Sequence, residues 1–310
     1  MLAELSAVEE VEIEVPATRK RLPRLERAEL AQYATSRPYY YAELRNNTKL
    51  FKDFQAFRKG LEERTRAIVQ GRAGGSPSNF HDMQNDIGPW ERRMGRIVEV
   101  LIEQHPLYAW ISRVRGLGAL SAGQLMGIIG TVAGNNGQPG IGAFDTVSRL
   151  WRFCGVGLGQ YYVVGGEVVA PVVGNKVEVK GDTRRMIKHS PKPPAGAVIE
   201  WRIDKPMAGY VPPYSRDAKT ISLEFIGSNF IKQNGKYRRL YDERKDYEHA
   251  AHPELTDGHC SNRARRHMVK VWLSHLWFLW REAEGYSTRG LWVHEYGEHT
   301  TVYDWRDFIE

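Results

Sequence analysis

"VRGLGALSAGQLMGIIG", Val114 to Gly130, decides how this chain is read. It carries glycines at 116, 118, 123, 127 and 130 and a single charge, Arg115, in a chain that is otherwise basic and polar. With the residues before it, the stretch reads as helix, tight turn, helix. Ile111 and Val114 close one apolar run, Gly116-Leu117-Gly118 turns the chain, and Leu120, Leu125, Ile128 and Ile129 build the next helix. Ala122 and Gly123 are small enough to let the two flanking helices approach closely. Two glycines permit the turn and leave backbone N–H groups bare at a helix N-terminus.

Those bare donors, together with the positive end of the helix dipole, suit a phosphate and read no sequence. The spacing resembles the helix-hairpin-helix motif, in which an apolar residue, Gly-apolar-Gly and a later small residue follow one another. The residues expected to meet DNA here are Arg113, Arg115, Gly116, Leu117 and Gly118, the two arginines from the rim. A plain helix–helix connection without a ligand is the alternative. Substituting Gly116 or Gly118 by a bulky residue is expected to cost binding and to spare the fold.

Outward from this stretch, the bulk numbers point the same way. The 310 residues carry 44 Lys and Arg against 37 Asp and Glu, a net charge of +7, which favours a polyanionic partner. Cys154 and Cys260 stand far apart in no motif, as in a reduced intracellular chain. No apolar run approaches the roughly 20 residues that span a bilayer, and the acidic start "MLAELSAVEEVEIEVP" lacks the positive opening of a signal peptide. A cytoplasmic protein without membrane contact is expected.

The fold class expected is mainly α: a helical bundle containing the helix-hairpin-helix, with a small β-hairpin insertion. Residues 1–26 read as a disordered tail, acidic and then basic. Residues 27–105 read as helical, with Leu44, Leu50, Phe51, Phe54, Phe57, Leu61 and Ile68 at helical spacing. A break over 71–79 separates them from a helix opened by Pro89 and ended by His105-Pro106, with Trp90, Met94, Ile97, Val98, Leu101 and Ile102 as its stripe. Residues 106–160 hold the helix-hairpin-helix. Residues 161–215 read as hairpins turning at Gly165-Gly166 and Gly174-Asn175, followed by a basic loop (180–192) and a Pro-rich loop (190–213). Residues 216–310 read as a basic helical region whose longest helix runs from Asn262 to Glu284.

The stretches "RGLGALSAGQLMGIIG" and "FDTVSRLWRFCGVGLG" together resemble the C-terminal transposase domain of the IS-one-ten insertion-sequence family. Phe144, Leu150, Phe153, Gly155 and Val156 follow that family's pattern, with Cys154 at a position usually small. "HCSNRARRHMVKVWLSHLWFLWREAEG" is similar to the closing helix of proteins grouped with it. The resemblance implies a DNA-binding protein of transposase origin, belonging to a mobile element and to DNA transposition and recombination. Full members carry an N-terminal carboxylate set that holds metal ions, and a serine nucleophile. Residues 1–105 show no strand-borne acidic set, and "CGVGLGQYYVVGGE" has no serine. The catalytic residues are therefore unknown, no cofactor is identified, and Mg²⁺ enters only if the chain is catalytic. An active or partner-dependent transposase and a non-catalytic interaction protein are the two alternatives.

Three further constellations bear on partners. Between His259 and His275 stand Arg263, Arg265, Arg266 and Lys270 with no acid, and Arg263, Arg266 and Lys270 are expected to track phosphates along one helix face. "NFIKQNGKYRRLYDERKDYEHAAHPE" interleaves tyrosines with cations, as a single-stranded nucleic acid would want, but its acids suit internal ion pairs equally. His249, His252, Asp257, His259, Cys260 and His267 cluster in sequence without the spacing of a zinc site, so no metal is expected. DNA is the expected partner, with RNA and a second copy of the chain as further candidates. Asp145, Glu224 and Asp257 are scattered acids that share no motif.

Overall fold

The computed structural model describes residues 39–134, 136–180, 183–288 and 303–310. The tail expected over 1–26 lies outside the described residues. Within them the protein is mainly helical with a small antiparallel sheet.

Two long helices form an antiparallel pair. They are α1 (Tyr40–Val69) and α2 (Pro77–Glu103); Leu44 of α1 joins Val98, Leu101 and Ile102 of α2 in the core, Phe51 packs against Gly95, and Leu61 is buried further along the pair. Leu50 and Phe57, expected on the apolar stripe, stand at the surface. The second helix does not open at Pro89. It opens at Pro77, where the missing N–H costs nothing, and Pro89 lies inside it. Two residues on, Arg58 of α1 donates to Glu91 at 2.5 Å, which holds α2 to α1 beside the turn where Pro89 removes a backbone bond.

The third layer answers the question posed by the glycines. After the short α3 (Tyr108–Ile111), α4 (Ala119–Gly130) lies across the pair. A Cβ on Gly123 would stand 2.7 Å from Val98 and 2.8 Å from Ile102. On Gly127 it would stand 2.9 Å from the backbone nitrogen of Arg45, and on Gly130 it would enter the Tyr41 ring. Gly123 therefore does not serve the two helices flanking the turn; it receives α1 and α2. The contact is backbone against backbone at Gly127 and backbone against side chain at Gly123 and Gly130, and a Cβ at any of the three would collide.

That contact places Tyr41 in a buried polar network. Leu107 N–H donates to His105 Nδ1 at 3.1 Å, so the ring proton sits on Nε2, which meets Tyr41 Oη at 3.0 Å. Trp280 Nε1 also donates to Tyr41 Oη, at 2.9 Å, and the Tyr41 hydroxyl donates to Glu284. Burial lowers the His105 pKa to about 3.

The β region joins the sequence on α5 (Val147–Phe153). Strands β1 (Leu158–Val164), β2 (Glu167–Pro171) and β5 (Val198–Ile203) form one antiparallel sheet in the order β2-β1-β5. Gly165 and Gly166, at φ 58° and 85°, make the expected β1–β2 turn. Gly174-Asn175 is not a turn. It begins β3 (Gly174–Lys180), which pairs with β4 (Thr183–His189) as a separate two-stranded ribbon. The basic loop is thus a strand, and the Pro-rich loop contains β5. Both strands lack the clean period-2 burial that marks a half-buried strand. Asp204, fully buried after β5, accepts from Tyr161 Oη at 2.6 Å and Arg152 Nε at 3.1 Å, which ties the sheet to α5.

The chain then returns to helix. A continuous helical run comprises α6 (Arg216–Lys219), a π-helical segment (Thr220–Ile226) and α7 (Gly227–Gln233); α8 (Lys236–Ala251) and α9 (Asp257–Ala283) follow. Met268, Trp272, Leu276, Trp277 and Trp280 of α9 fill the centre of one core that reaches from Tyr40 to Phe308. Among the described residues no helix is long and apolar enough to cross a membrane.

Two measurements test this packing. Gly127→Ala is expected to lower unfolding free energy by about 1–3 kcal/mol, the usual cost of overpacking. Gly60→Ala, exposed on α1 with nothing near its Cβ, should instead raise it by up to about 1 kcal/mol. Equal effects in urea melts would refute the close approach. Acid should also weaken the fold. The His105 pKa is lower folded than unfolded, so below pH 6.5 the unfolded chain takes the proton first and stability falls toward about pH 3. His105 alone should account for about 2 kcal/mol lost at pH 5. Burial raises the Glu284 pKa, which acts in the opposite sense and softens the fall. A urea midpoint that stays level from pH 7 to 5 would contradict a buried neutral His105.

Candidate nucleic-acid interface

Thr256 caps α9 by accepting from His259 N–H. From there one face of the helix goes into the core. Arg263, Arg266, His267 and Lys270, three and four apart, share the other. Sequence showed no acid among them, but the fold supplies two. Arg263 donates to Glu248 of α8 at 2.9 Å, and Arg244 shares that carboxylate at 2.5 Å. Arg265 pairs with Glu224 of the π segment at 3.2 Å. Arg263 is thus half of a clamp between α8 and α9.

Arg266 and Lys270 are different. Neither has an ion pair among the described residues, and Arg266 Nε is buried without a hydrogen-bond partner. A third cation joins them from far away in sequence. Lys219, the last residue of α6, has no ion pair among the described residues either. Burial lowers its pKa, and the Arg266 charge adds to this. Burial likewise lowers the pKa of Arg266, with Arg263 adding, and that of Lys270, with Arg266 and Arg244 adding. Burial, Arg244 and Lys270 bring His267 down to about 4. The cluster is an array of half-buried like charges centred on Arg266, and Glu224, Asp204 and Glu248 nearby offset part of the repulsion.

Aromatic rings frame it. Lys219 Nζ lies 4.4 Å above the Tyr214 ring and Lys270 Nζ lies 5.2 Å above Trp151, whose indole N–H donates to Lys270 O at 3.0 Å. Such faces hold a cation without neutralising it. Lys219 and Trp151 carried no local signal: only the fold brings α5 and α6 to α9. The π segment that follows Lys219 is a rare form often found at functional sites.

The Gly-Leu-Gly turn is placed differently from expectation. Gly116, at φ 91°, faces α7, and a Cβ there would lie 3.1 Å from Phe230 and 3.2 Å from Asn229 O. Gly116 is therefore a packing residue, and its substitution would strain the fold. Leu117 is buried. Gly118 is exposed with open space at its Cβ, and it precedes α4 in extended geometry. Ala122 N–H is bonded to Gly118 O at 3.0 Å, so the N–H groups of residues 119–121 come before intrahelical bonding begins. Arg113 Nε donates to Glu310 O at 3.3 Å, and Arg115 lies 3.7 Å from the Glu310 carboxylate. The turn and the α9 cluster share a neighbour in α7. Asn229 and Phe230 meet Gly116, while Gly227 meets Val269 and Arg265.

The other constellations are used up within the fold. Along α8, Arg238 pairs with Asp242 at 2.7 Å and Arg239 with Glu243 at 3.1 Å, so that stretch is laced by ion pairs. Asp257 pairs with Lys245 at 2.9 Å and His249 at 3.1 Å, and Asp145 with Arg149 at 3.1 Å. Among the described residues no three His, Cys, Asp or Glu side chains gather to hold a metal ion. Comparison with known proteins finds no matching family model, no matching curated protein and no matching solved structure.

Repulsion inside the cluster has a measurable sign. Lys270→Met and Arg266→Gln should each stabilise the free protein, by about 0.5–1 kcal/mol, as removal of a site's strain commonly does. A drop in melting temperature for both would show that these cations hold the fold together.

Proposed function

We propose that this protein binds DNA through the phosphate backbone and that it is of transposase origin. The observation that carries the reading is the trio Lys219, Arg266 and Lys270: half-buried cations without an ion pair among the described residues, Lys219 and Lys270 each repelled by Arg266, with Glu224 and Asp204 offsetting only part of that repulsion. A phosphate seated among them supplies the missing charge and gives Arg266 Nε an acceptor. Arg263 steadies the face from its clamp with Glu248. The Gly116-Leu117-Gly118 turn serves as the hairpin of a helix-hairpin-helix whose first helix, α3, is short. Gly118 and the first turn of α4 present backbone N–H groups there, with Arg113 and Arg115 beside them. These contacts touch phosphates and no base edges, so they confer little sequence preference.

The test is fluorescence anisotropy of the full chain with a labelled duplex between about 50 and 200 mM salt. Three neutralised phosphates give a slope of log K against log salt of about −2.7 or steeper. Lys219→Met, Arg266→Gln and Lys270→Met should each weaken binding about tenfold and make the slope shallower by about 1. Gly118→Glu, which leaves the packing untouched, should weaken it also, because it sets an acid at the N-terminus of α4. No binding at the lowest salt, or binding indifferent to all four substitutions, would sink the reading.

A further inference from the structure

We propose that the β3–β4 ribbon is a second DNA-contacting arm that enters a groove of the same duplex; the inference rests on the DNA-binding reading above. The ribbon is separate from the three-stranded sheet and, among the described residues, is anchored at its base. There Val211 N–H donates to Asn175 O at 2.7 Å, Gly174 packs against Tyr210, and Lys176 Nζ lies 4.8 Å above the Tyr210 ring. Beyond that anchor no other strand covers it among the described residues. Strands of seven residues reach about 23 Å.

What the arm exposes is specific. In the antiparallel register Val177 stands opposite Met186, Val179 opposite Arg184, and Asn175 opposite Lys188. Opposed residues point to one side, so this face has an apolar centre with Lys188 at one end and Arg184 at the other. Val177, Val179 and Met186 are 53%, 60% and 62% exposed. The opposite face adds Arg185, set across from Glu178. The described ribbon thus carries Lys176, Lys180, Arg184, Arg185 and Lys188 against one acid, Glu178, which lies 3.9 Å from Lys180. Arg184, Arg185 and Lys188 have no ion pair among the described residues.

Charge identifies the occupant. Two copies docked by this face about a two-fold axis would bring Lys188 of each toward Arg184 of the other, and like charges placed so oppose association. A polyanion reverses that sign. The major groove of B-DNA admits a two-stranded ribbon, its walls are phosphates, and its floor offers thymine methyls to apolar side chains. The ribbon matches that arrangement, with cations at the ends and aliphatic side chains between. The deep, narrow major groove of A-form RNA does not admit such an arm.

The test uses the full chain and the same duplex assay. Arg184→Ala, Arg185→Ala and Lys188→Ala combined should weaken duplex binding at least tenfold and make the salt slope shallower by 2 to 3. Val177→Ser with Met186→Ser should weaken it at least threefold and leave the slope unchanged. Melting temperatures should not move, because these residues lie outside the core. If the wild type binds duplex and the α9 variants weaken it while both ribbon variants bind as wild type, the arm is refuted and the DNA reading stands. If the ribbon variants instead lose binding to double-stranded RNA or to phosphatidylserine-containing vesicles, with duplex DNA binding unchanged, the arm serves another polyanion and the proposal falls. If the wild type binds no duplex at all, both readings fall together.

Discussion

The fold depends on one close approach, that of α4 to α1 and α2 across Gly123, Gly127 and Gly130. Side chains at those positions would hold the helices apart, and the loss would not stay local. Tyr41 lies on Gly130, and its hydroxyl joins His105 at the end of α2 to Trp280 and Glu284 at the end of α9. Each donor in that network has an acceptor, which is the condition for burying polar groups in a core. Helix contact, ring position and polar network are therefore consecutive consequences of three missing Cβ atoms.

α9 then serves two purposes with one helix. Its tryptophans fix the core, and two of them also bond outward: Trp277 Nε1 donates to Phe144 O at 2.7 Å and Trp280 to Tyr41. Arg281 closes the same turn by donating to Phe144 O at 2.9 Å. With the helix so anchored, Arg266 and Lys270 cannot move apart by rotating it, and Lys219 is held against them by the helical run that α6 begins. Charges that cannot separate keep their repulsion, which is what the proposed phosphate would relieve. A flexible basic surface would disperse its charges into water and offer no such gain.

How much of this was legible in the sequence depends on the range of the cause. The helical stripe ending at Ile102, the Gly165-Gly166 turn and the long tryptophan helix follow from local periodicity and turn chemistry, and each is present. α2 starts before Pro89, which reads as a helix opener, and nothing local reveals that Arg58 will hold the helix there. β4 and β5 read as loops because two-sided exposure erases the alternation of a buried strand. In the cation cluster, Arg266 and Lys270 were visible as a run without acids. That Arg263 is neutralised by Glu248, and that Lys219 completes the trio, depends on contacts between distant segments.

The glycines show the same limit most sharply. Bare backbone is what a phosphate requires and also what a crossing helix requires, so the stretch from Val114 to Gly130 satisfies either account. Burial separates them. Gly123, Gly127 and Gly130 receive α1 and α2, Gly116 receives α7, and Gly118 alone remains open at the head of a helix. The contact of Gly116 with α7 also links the turn to α9. Gly116 meets Asn229 and Phe230 while Arg265 meets Gly227, positions separated by about 3 to 5 Å of helix rise. The helical run through α7 therefore packs against both the turn and α9, and fixes the one relative to the other.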